Sequence, residues 1–588
     1  MLGFCGDSIF MLIAWFCMGA SFNSWGNFCS RVIGIELTGK RKFFTDIWLG
    51  WFFSVLFFAV YQLFWPIDAF ASTVFYLPAL IYFFYKHNSD IVSVVKKLDK
   101  ITIILGICLL AIIAFMAVQP PICFDVGLYH LNSIRWLNEH HIIKGLGNLH
   151  SRLGFNQLYF LYAASLNFHP YLNDYGFHAA NSFLFALFCI GLLINGKFTD
   201  YILLALLQFI PMPLYWLSCP TPDIASTLLL IMIFRQLLDI FHYSIEEAQK
   251  PFLIIVVQIN AVFLLSLKLS NIAFVAGIFI VTAIYCKKNI SVIIFKNKFI
   301  RALSLLALFM TIWIVRGYIQ TGCPCYPSTV GRIGFDWAVT PESAKQAEKD
   351  IYVFARLDDY DQNSPLLKDF GWLEKWAETN IFSKANYITD DSLQNVKNML
   401  MLLLFPGCLF NFGFGFVVLI GVSVFMLGIW LGSCVMQKKL LGNFYLLAIW
   451  FVCAVSILFW FFMAPAFRFS NGISIVFVVV SMLLAKSAFQ NITFHKRIWG
   501  WLGILPILAL IWVFLVQYCE GFFAISGIKT LDKVSMEGFV TDSGLEVLVP
   551  TDGTQCWDSA LPSTPERNKF LSLRSNTIDD GFCVKYTK

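Results

Sequence analysis

Apolar runs of about 20 residues, the length needed to cross the hydrocarbon core of a bilayer, recur along most of the chain between short polar connectors. About 14 such runs stand out. They lie near Ser8–Cys29, Asp46–Trp65, Ala69–Tyr85, Ile101–Gln119, Phe177–Asn195, Asp200–Leu217 and Asp223–Tyr243. The second half adds Pro251–Leu267, Asn271–Cys286, Phe299–Gly317, Asn411–Cys434, Leu441–Met463, Phe469–Lys486 and Ile498–Tyr518. The first run lacks a basic segment ahead of it and reads as a retained span, not a cleaved leader. Three segments are too polar to span: 120–176, 318–400 and the tail after Tyr518. The second carries 12 Asp and Glu against 8 Lys and Arg, with helix-like composition at Pro341–Leu357 and Pro365–Thr379. A loop of that length in a compact domain is usually functional or partly helical. The pattern predicts an all-α integral membrane protein of about 12–14 spans. Its expected parts are N-terminal helices over 1–100, a membrane core over 101–317, a long loop over 318–400, C-terminal helices over 401–518 and a small extracytoplasmic segment over 519–588.

Composition narrows the class. The chain is 58% hydrophobic and only 13% charged, with a mean hydropathy of +0.71. That excludes a disordered chain, a small disulfide scaffold and a secreted globular enzyme. A net charge of +6 calls for no nucleic-acid partner; what matters is where the charges lie. Twenty of the 42 Lys and Arg fall in one alternating set of short connectors, among them Lys40, Arg41, Lys197, Lys250 and Lys287. By the positive-inside rule that set is cytoplasmic, and the three long polar segments and both termini face outward. The sequons at Asn289 and Asn491 then fall on the cytoplasmic side and read as chance matches.

The first outer loop carries the densest chemistry. Six of the nine His lie between His130 and His178. Leu128, Leu131, Ile134 and Leu137 recur at helical spacing, predicting a short amphipathic helix at the membrane surface with Arg135 on its polar face. Asp125 precedes it and has two readings, a helix cap without chemistry and a catalytic carboxylate. His140 and His141 are adjacent and point to different faces, and no His-Glu-x-x-His occurs, which argues against a zinc protease. The histidines read as interfacial hydrogen-bonding residues; a divalent ion shared by Asp125, His130 or His150 is the alternative, without ligand spacing to favour it. Three short outer turns add Asp223 after Pro222, Lys268 before Ser270 and Arg468 after Pro465. Each has a bland reading as a cap, a snorkelling Lys or an interfacial Arg. Their shared location tells more: a carboxylate among cations at one interface suits a lipid phosphate and a hydroxyl acceptor. Cys556 and Cys583 lie outside the apolar runs and form a candidate disulfide, with two free thiols as the alternative.

Several blocks together resemble a family of bacterial polytopic membrane proteins. They are Asp125-x-Gly127-Leu128-Tyr129-His130 with Ile134 and Trp136, Gly145-Leu-Gly147-Asn148-Leu149-His150-x-Arg152, and Pro220-Thr-Pro222-Asp223. To these are added Gly322-x-Pro324-x-Tyr326-Pro327, Ala464-Pro465 with Arg468-Phe469, and Cys556-Trp557-Asp558. That family in turn resembles the GT-C glycosyltransferases, multi-span enzymes that use polyprenyl-phosphate-linked sugars and carry an acid in the first outer loop. Asp125 matches that position. Three spans precede the usual first one, which sets the start of the GT-C core at Ile101, and the loop holds a single acid where some GT-C groups hold a pair. The resemblance implies a GT-C-like fold and an inverting transferase in a bacterial inner membrane, its site facing the periplasm. The partners would be a polyprenyl-phosphate sugar, a glycan, lipid or protein acceptor and membrane lipids, with no certain cofactor. Asp125 would be the base, and His130, Tyr129, His150, Arg152, Asp223, Lys268 and Arg468 the substrate-binding set. The alternatives are a glycolipid transporter or flippase, and a polysaccharide polymerase or ligase.

The charge asymmetry makes a direct prediction. Reporter fusions after Asn148, Asp361 and Ser575 are expected to read as extracytoplasmic, and fusions after Lys97 and Lys288 as cytoplasmic. A cytoplasmic signal at Asn148 would reverse the assignment of the first long loop.

Overall fold

The computed structural model describes the chain apart from residues 1, 87–97, 174, 208–215, 244, 290–291, 358–359, 382–411, 438–443, 489–503, 520, 522, 526, 529–530, 532 and 586–588. The protein is mostly helical. Among the described residues, 11 helices are long and apolar enough to cross a membrane, and two shorter apolar helices, Asn471–Ser487 and Leu505–Cys519, fall on the last two expected spans. The long helices number fewer than the 14 expected runs. Of the sixth run, the described residues include a helix, Phe198–Leu206. Its start is fixed by Asp200, whose carboxylate accepts from the Lys197 backbone N–H at 2.9 Å; 208–215, which the expected run also included, lie outside the described residues.

In chain order the first helices are α1 (Leu2–Ile33), α2 (Gly39–Tyr61), α3 (Ala69–Lys86) and α4 (Lys100–Ala117). The first long loop holds a π-turn at Val126–His130, α5 (Leu131–Glu139) and α6 (Tyr159–Leu166). Then come α7 (His178–Asn195), α8 (Phe198–Leu206), α9 (Pro222–Phe241), α10 (Lys250–Leu267), α11 (Ile272–Asn289) and α12 (Val292–Thr321). The second long loop contributes α13 (Pro341–Phe354) and α14 (Trp372–Asn380), and the last helices are α15 (Phe412–Met436), α16 (Phe444–Met463), α17 (Asn471–Ala488) and α18 (Leu505–Cys519).

α9 is buried on nearly every side and packs against α7, α10 and α17. A helix apolar all round belongs at the centre of a bundle. α1 and α2 cross backbone to backbone: a methyl group at Gly26 would collide with the main chain of Asp46, and one at Gly50 with that of Phe22. Small residues at a crossing let apolar helices approach this closely, where dispersion replaces the hydrophobic drive absent between lipid-embedded surfaces. One contiguous apolar cluster runs from Phe4 to Ile528, so the N-terminal helices share the core of the rest. Ile9, Ile13 and Phe16 on α1, and Phe451, Val455 and Leu458 on α16, stay exposed at helical spacing, as lipid-facing stripes do.

The short helix expected in the first loop is present as α5, but it does not lie open at a surface. Leu131, Asn132, Ile134, Trp136, Leu137 and Asn138 are all buried. The tail covers them. Its two antiparallel hairpins, β1 (Met536–Val540) with β2 (Glu546–Pro550) and β3 (Leu571–Leu573) with β4 (Phe582–Val584), are the strands the all-α expectation omitted. In β2 the buried Val547 and Val549 flank the more exposed Leu548, and the first hairpin turns at Gly544, whose φ of +81° suits glycine. Val547, Leu571 and Phe582 pack against Trp136, Leu146 and Leu149 of the loop. Polar groups bind the two together: Asn132 donates to Ser563 at 2.6 Å, Thr564 donates to the Leu149 carbonyl at 2.8 Å, and Arg135 reaches the Asp558 carbonyl at 2.8 Å.

The candidate disulfide is not formed: Cys556 and Cys583 are both free and buried. Cys583 sits in β4 opposite Ser572, its thiol 3.8 Å from the Leu573 carbonyl. Cys556 belongs to the turn that seats Trp557 on the loop, where the Trp557 N–H donates to the Gly127 carbonyl at 2.8 Å. Each thiol is committed to the packing of its own turn or strand.

That seat leaves no room at Gly127. A Cβ there would meet the Trp557 ring at 2.7 Å and Gln555 Nε2 at 2.9 Å. Gly127→Ala is expected to destabilise by about 1–3 kcal/mol through overpacking and to expose the tail to limited proteolysis. Adding Trp557→Leu should recover part of the loss, read by thermal unfolding in detergent. An unchanged midpoint in Gly127→Ala would mean that the tail is not clamped here.

Candidate functional site

Four helix ends that the chain separates widely meet at one end of the bundle. Asp125 stands in the first turn leading into the π-turn, with right-handed helical dihedrals of −64° and −19°, and its side chain makes no capping hydrogen bond. The carboxylate instead accepts from Arg468 Nη1 at 2.7 Å, 343 residues away. The cap reading of Asp125 therefore fails. Arg468 lies in the short 3-10 turn Phe467–Phe469 between α16 and α17. Its Nε is 3.7 Å from Asp223 Oδ2. Asp223 follows Pro222 in the first turn of α9, where the helix dipole favours a negative charge. Its other oxygen contacts Lys268, the C-cap residue of α10, where a positive charge is favoured. Asp125, Asp223, Lys268 and Arg468 thus form a continuous alternating chain of two carboxylates and two cations.

Burial sets its electrostatics. Asp125 and Asp223 are buried, and the Arg468 and Lys268 side chains are nearly so. Burial by itself would raise the Asp125 carboxyl, but the Arg468 guanidinium, with Arg152 behind it, more than offsets this and holds it well below the usual carboxylate range. Asp125 is therefore ionised at neutral pH and already committed to a cation. Burial also pushes His130 down to about 3, so it is neutral, and its Nδ1 has no hydrogen-bond partner. The His130 ring rests against Tyr129 at 4.4 Å and Phe160 at 5.2 Å. Arg152 lies over the Tyr129 ring at 5.6 Å. These residues surround the quartet. His150 belongs elsewhere: it is buried, lowered to about 3 by that burial, and faces Glu566 of the tail at 3.7 Å. The divalent-ion alternative loses its ligand set, because Asp125 is turned to Arg468 and His150 to Glu566. No group of three or more His, Cys, Asp or Glu suited to a metal occurs among the described residues.

Beside the quartet, Arg152 also lines a small cavity of about 40 Å³ between the first loop and the end of α12. Its wall includes Arg316, Asn156, Gln157 and Gln320. The side-chain oxygens of the three amide residues are buried without donors. Buried amide oxygens without donors are uncommon and call for a hydroxyl or a water. Arg316 is fully buried, and its polar contacts are the Gln62 side chain at 2.7 Å and the Ala59 carbonyl at 3.3 Å.

The sequence missed the second loop's part in the site. Arg356 donates to the carbonyls of Phe462 at 2.7 Å and Met463 at 3.2 Å, supplying partners that the end of α16 lacks. It is stacked between Tyr352 at 3.5 Å and Trp372 at 4.9 Å. This anchorage carries Phe354 to the Arg468 guanidinium, with the ring 5.2 Å away. Phe469 supplies a second face, 5.1 Å from Arg468 and 3.6 Å from Lys268 Nζ. In a chain with 62 Phe, no local signal marks these two rings.

A family described as a domain of unknown function, DUF8201, matches residues 9–477. The chain belongs to that family. The DUF8201 match takes in Asp125, Asp223, Lys268 and Arg468 and stops before the tail. No curated protein matches the chain, and no solved structure does.

The quartet predicts strong energetic coupling. Arg468→Gln leaves Asp125 buried without its cation and is expected to cost about 3–5 kcal/mol. Asp125→Asn combined with Arg468→Gln should recover part of that, giving a coupling above about 1 kcal/mol in a double-mutant cycle. Additive losses in thermal unfolding would show that the pair is not coupled.

Proposed function

We propose that the protein is a membrane glycosyltransferase that moves a sugar from a polyprenyl-phosphate donor to a hydroxyl of a glycan, lipid or protein acceptor. On this reading it works at the outer face of a bacterial inner membrane, with a GT-C-like membrane domain. One observation carries the reading: Asp125 spends its carboxylate on Arg468 and not on its own helix, within a quartet at the helix ends. On this reading the quartet sets a base beside cations that fit a phosphate, and a lipid phosphate would meet it at the helix ends.

The proposed step uses both halves of the ion pair. In the free protein Arg468 holds Asp125 as a weak base. A donor phosphate competes for the guanidinium, which binds phosphate in a bidentate manner where Lys offers a point charge. Once Arg468 turns to phosphate, Asp125 loses its cation and burial raises its proton affinity toward the range useful to a base. The acceptor oxygen then attacks the anomeric carbon as its proton passes to Asp125. The bond from that carbon to the phosphate oxygen breaks, and the electron pair leaves on the phosphate, neutralised by Arg468 and Lys268. Attack opposite the leaving group inverts the anomeric centre. The neighbouring cavity admits a hydroxyl and not a sugar ring: its three amide oxygens can accept from an acceptor hydroxyl, and Arg316 and Arg152 can donate to that hydroxyl's oxygen. His130, with its free Nδ1, is a further contact for a sugar hydroxyl.

Lipid-linked glycans from cells with and without the gene, compared by mass, test the reading; identical profiles would remove it. With the substrate in hand, Asp125→Asn is expected to lower turnover by about 10²–10⁴-fold. The pH profile tests the unmasking step. Because the Asp125 carboxyl of the free protein sits well below its usual range, kcat/KM should show no acid limb down to about pH 5. In Arg468→Gln the remaining burial raises that carboxyl, so an acid limb should enter the measurable range. A wild-type acid limb that Arg468→Gln leaves in place would assign the base to another group.

A further inference from the structure

A second polar cluster lies at the opposite end of α9, some 12–16 residues or about 18–24 Å from Asp223 along the helix. There Arg235 contacts Asp200 and lies 2.9 Å from Asp239. Asp239 also takes Lys197 at 2.9 Å and Arg41 at 3.3 Å. Lys40 adds a fourth cation, held by the Ile194 and Asn195 carbonyls at 3.0 and 3.3 Å at the end of α7. Four cations thus face two carboxylates. The other nearby acids are engaged elsewhere: Asp46 with Lys42, Glu36 with Lys298 and Glu247 with Lys250. The exposed Glu246 stands one hydrogen bond further out, beyond Gln249. The cluster therefore carries two positive charges in excess, and the excess lies on the half-buried Arg41 and Lys197 and the exposed Lys40, around the buried Arg235, Asp200 and Asp239.

Lys40, Arg41 and Arg235, with the Asp239 carboxylate among them, border a cavity of about 270 Å³ between α2, α7, α9 and α10. Its polar rim includes Thr38, Lys40, Arg41 and Arg235, and its inner wall includes Phe44, Trp48, Phe188 and Met232. The rim is also the start of α2, and Thr38 at its N-cap makes no side-chain capping bond. The Thr38 hydroxyl accepts from Gln249 instead, at 3.1 Å. Two polar groups in the cavity lining lack partners. Arg235 Nη2 and Gln236 Nε2 are each without a hydrogen bond, on residues only 4% exposed. Both are donors, and buried donors left unmade are costly. Excess positive charge, unpartnered donors and an uncapped helix start all ask for an anion. The aromatic wall asks for an apolar chain attached to it, which a free anion lacks.

We infer that this cavity binds the phosphate head group of an anionic membrane lipid, with its apolar chain laid against Phe44, Trp48 and Phe188. Basic pockets between membrane helices hold anionic lipid head groups in this way. The phosphate oxygens accept from Lys40, Arg41, Arg235 Nη2 and the first amides of α2. The site is separate from the quartet at the other end of α9, and its test does not depend on the transferase reading.

The test is lipid retention by the full-length protein in detergent, measured by native mass spectrometry and thermal unfolding. The probes are phosphatidylglycerol, phosphatidylcholine and inorganic phosphate. Phosphatidylglycerol is expected to be retained and to raise the unfolding temperature, with neither other probe matching it. Lys40→Gln, whose side chain touches only carbonyls, should weaken retention about tenfold, or about 1.4 kcal/mol. Gly191→Leu is aimed at the chain side of the cavity, which Gly191 lines; its Cβ meets Phe44 at 3.5 Å, an ordinary contact. That variant should lose the lipid while keeping its stability in lipid-free detergent. Lys250→Gln, outside the lining, should retain lipid as the wild type does. Equal retention of phosphatidylglycerol by Lys40→Gln and Gly191→Leu would overturn the proposal. So would stabilisation by inorganic phosphate equal to that by the lipid, which would make the site one for a free anion.

Discussion

A charge taken out of water must find an opposite charge, and in this protein that rule binds four distant turns into one place. Asp125, Arg468, Asp223 and Lys268 come from the first loop, the turn before α17, the start of α9 and the end of α10. None could be buried alone, because the desolvation of an isolated ion costs several kcal/mol even after relaxation. Joined in alternation they neutralise one another, and the helix ends lend partial charges of the right sign to Asp223 and Lys268. The price is that each residue's orientation depends on the other three.

The loop and the tail serve that arrangement. Asp125 enters through a π-turn that the tail clamps at Gly127, and Gln555 of the tail donates to the Phe124 carbonyl at 2.8 Å. From the other side, Arg356 ties the second loop to the end of α16 and brings Phe354 over Arg468. An ion pair enclosed by aromatic faces and excluded from bulk water acts at lower effective dielectric, which strengthens the hold of Arg468 on Asp125.

The bundle carries charge at both ends of α9 and little between. From Ile224 to Phe234 that helix carries no charged residue. Charged groups at mid-depth are the mark of transport pathways, whereas here the charges gather at helix ends, where snorkelling and dipoles reduce the cost of burying them. The two ends differ in balance. The Asp125 end is a neutral quartet with Arg152 beside it, and the other end has cations in excess around a cavity with aromatic walls.

The sequence by itself determined the class of molecule and most of its helices, because runs of apolar residues long enough to span are a local property of the chain. It also marked Asp125, Asp223, Lys268 and Arg468, since a charge at the end of an apolar run stands out where only 13% of residues are charged. It did not determine what those charges do. A helix start leaves Asp125 free to cap or to pair, and the choice was made by an arginine 343 residues away. The same holds for the short helix that looked amphipathic until the tail covered it, for two cysteines that looked like partners, and for Phe354, lost among many like it. Local pattern decides which residues leave water. Which partners they then meet is a long-range matter of geometry, and only the tertiary structure decided it.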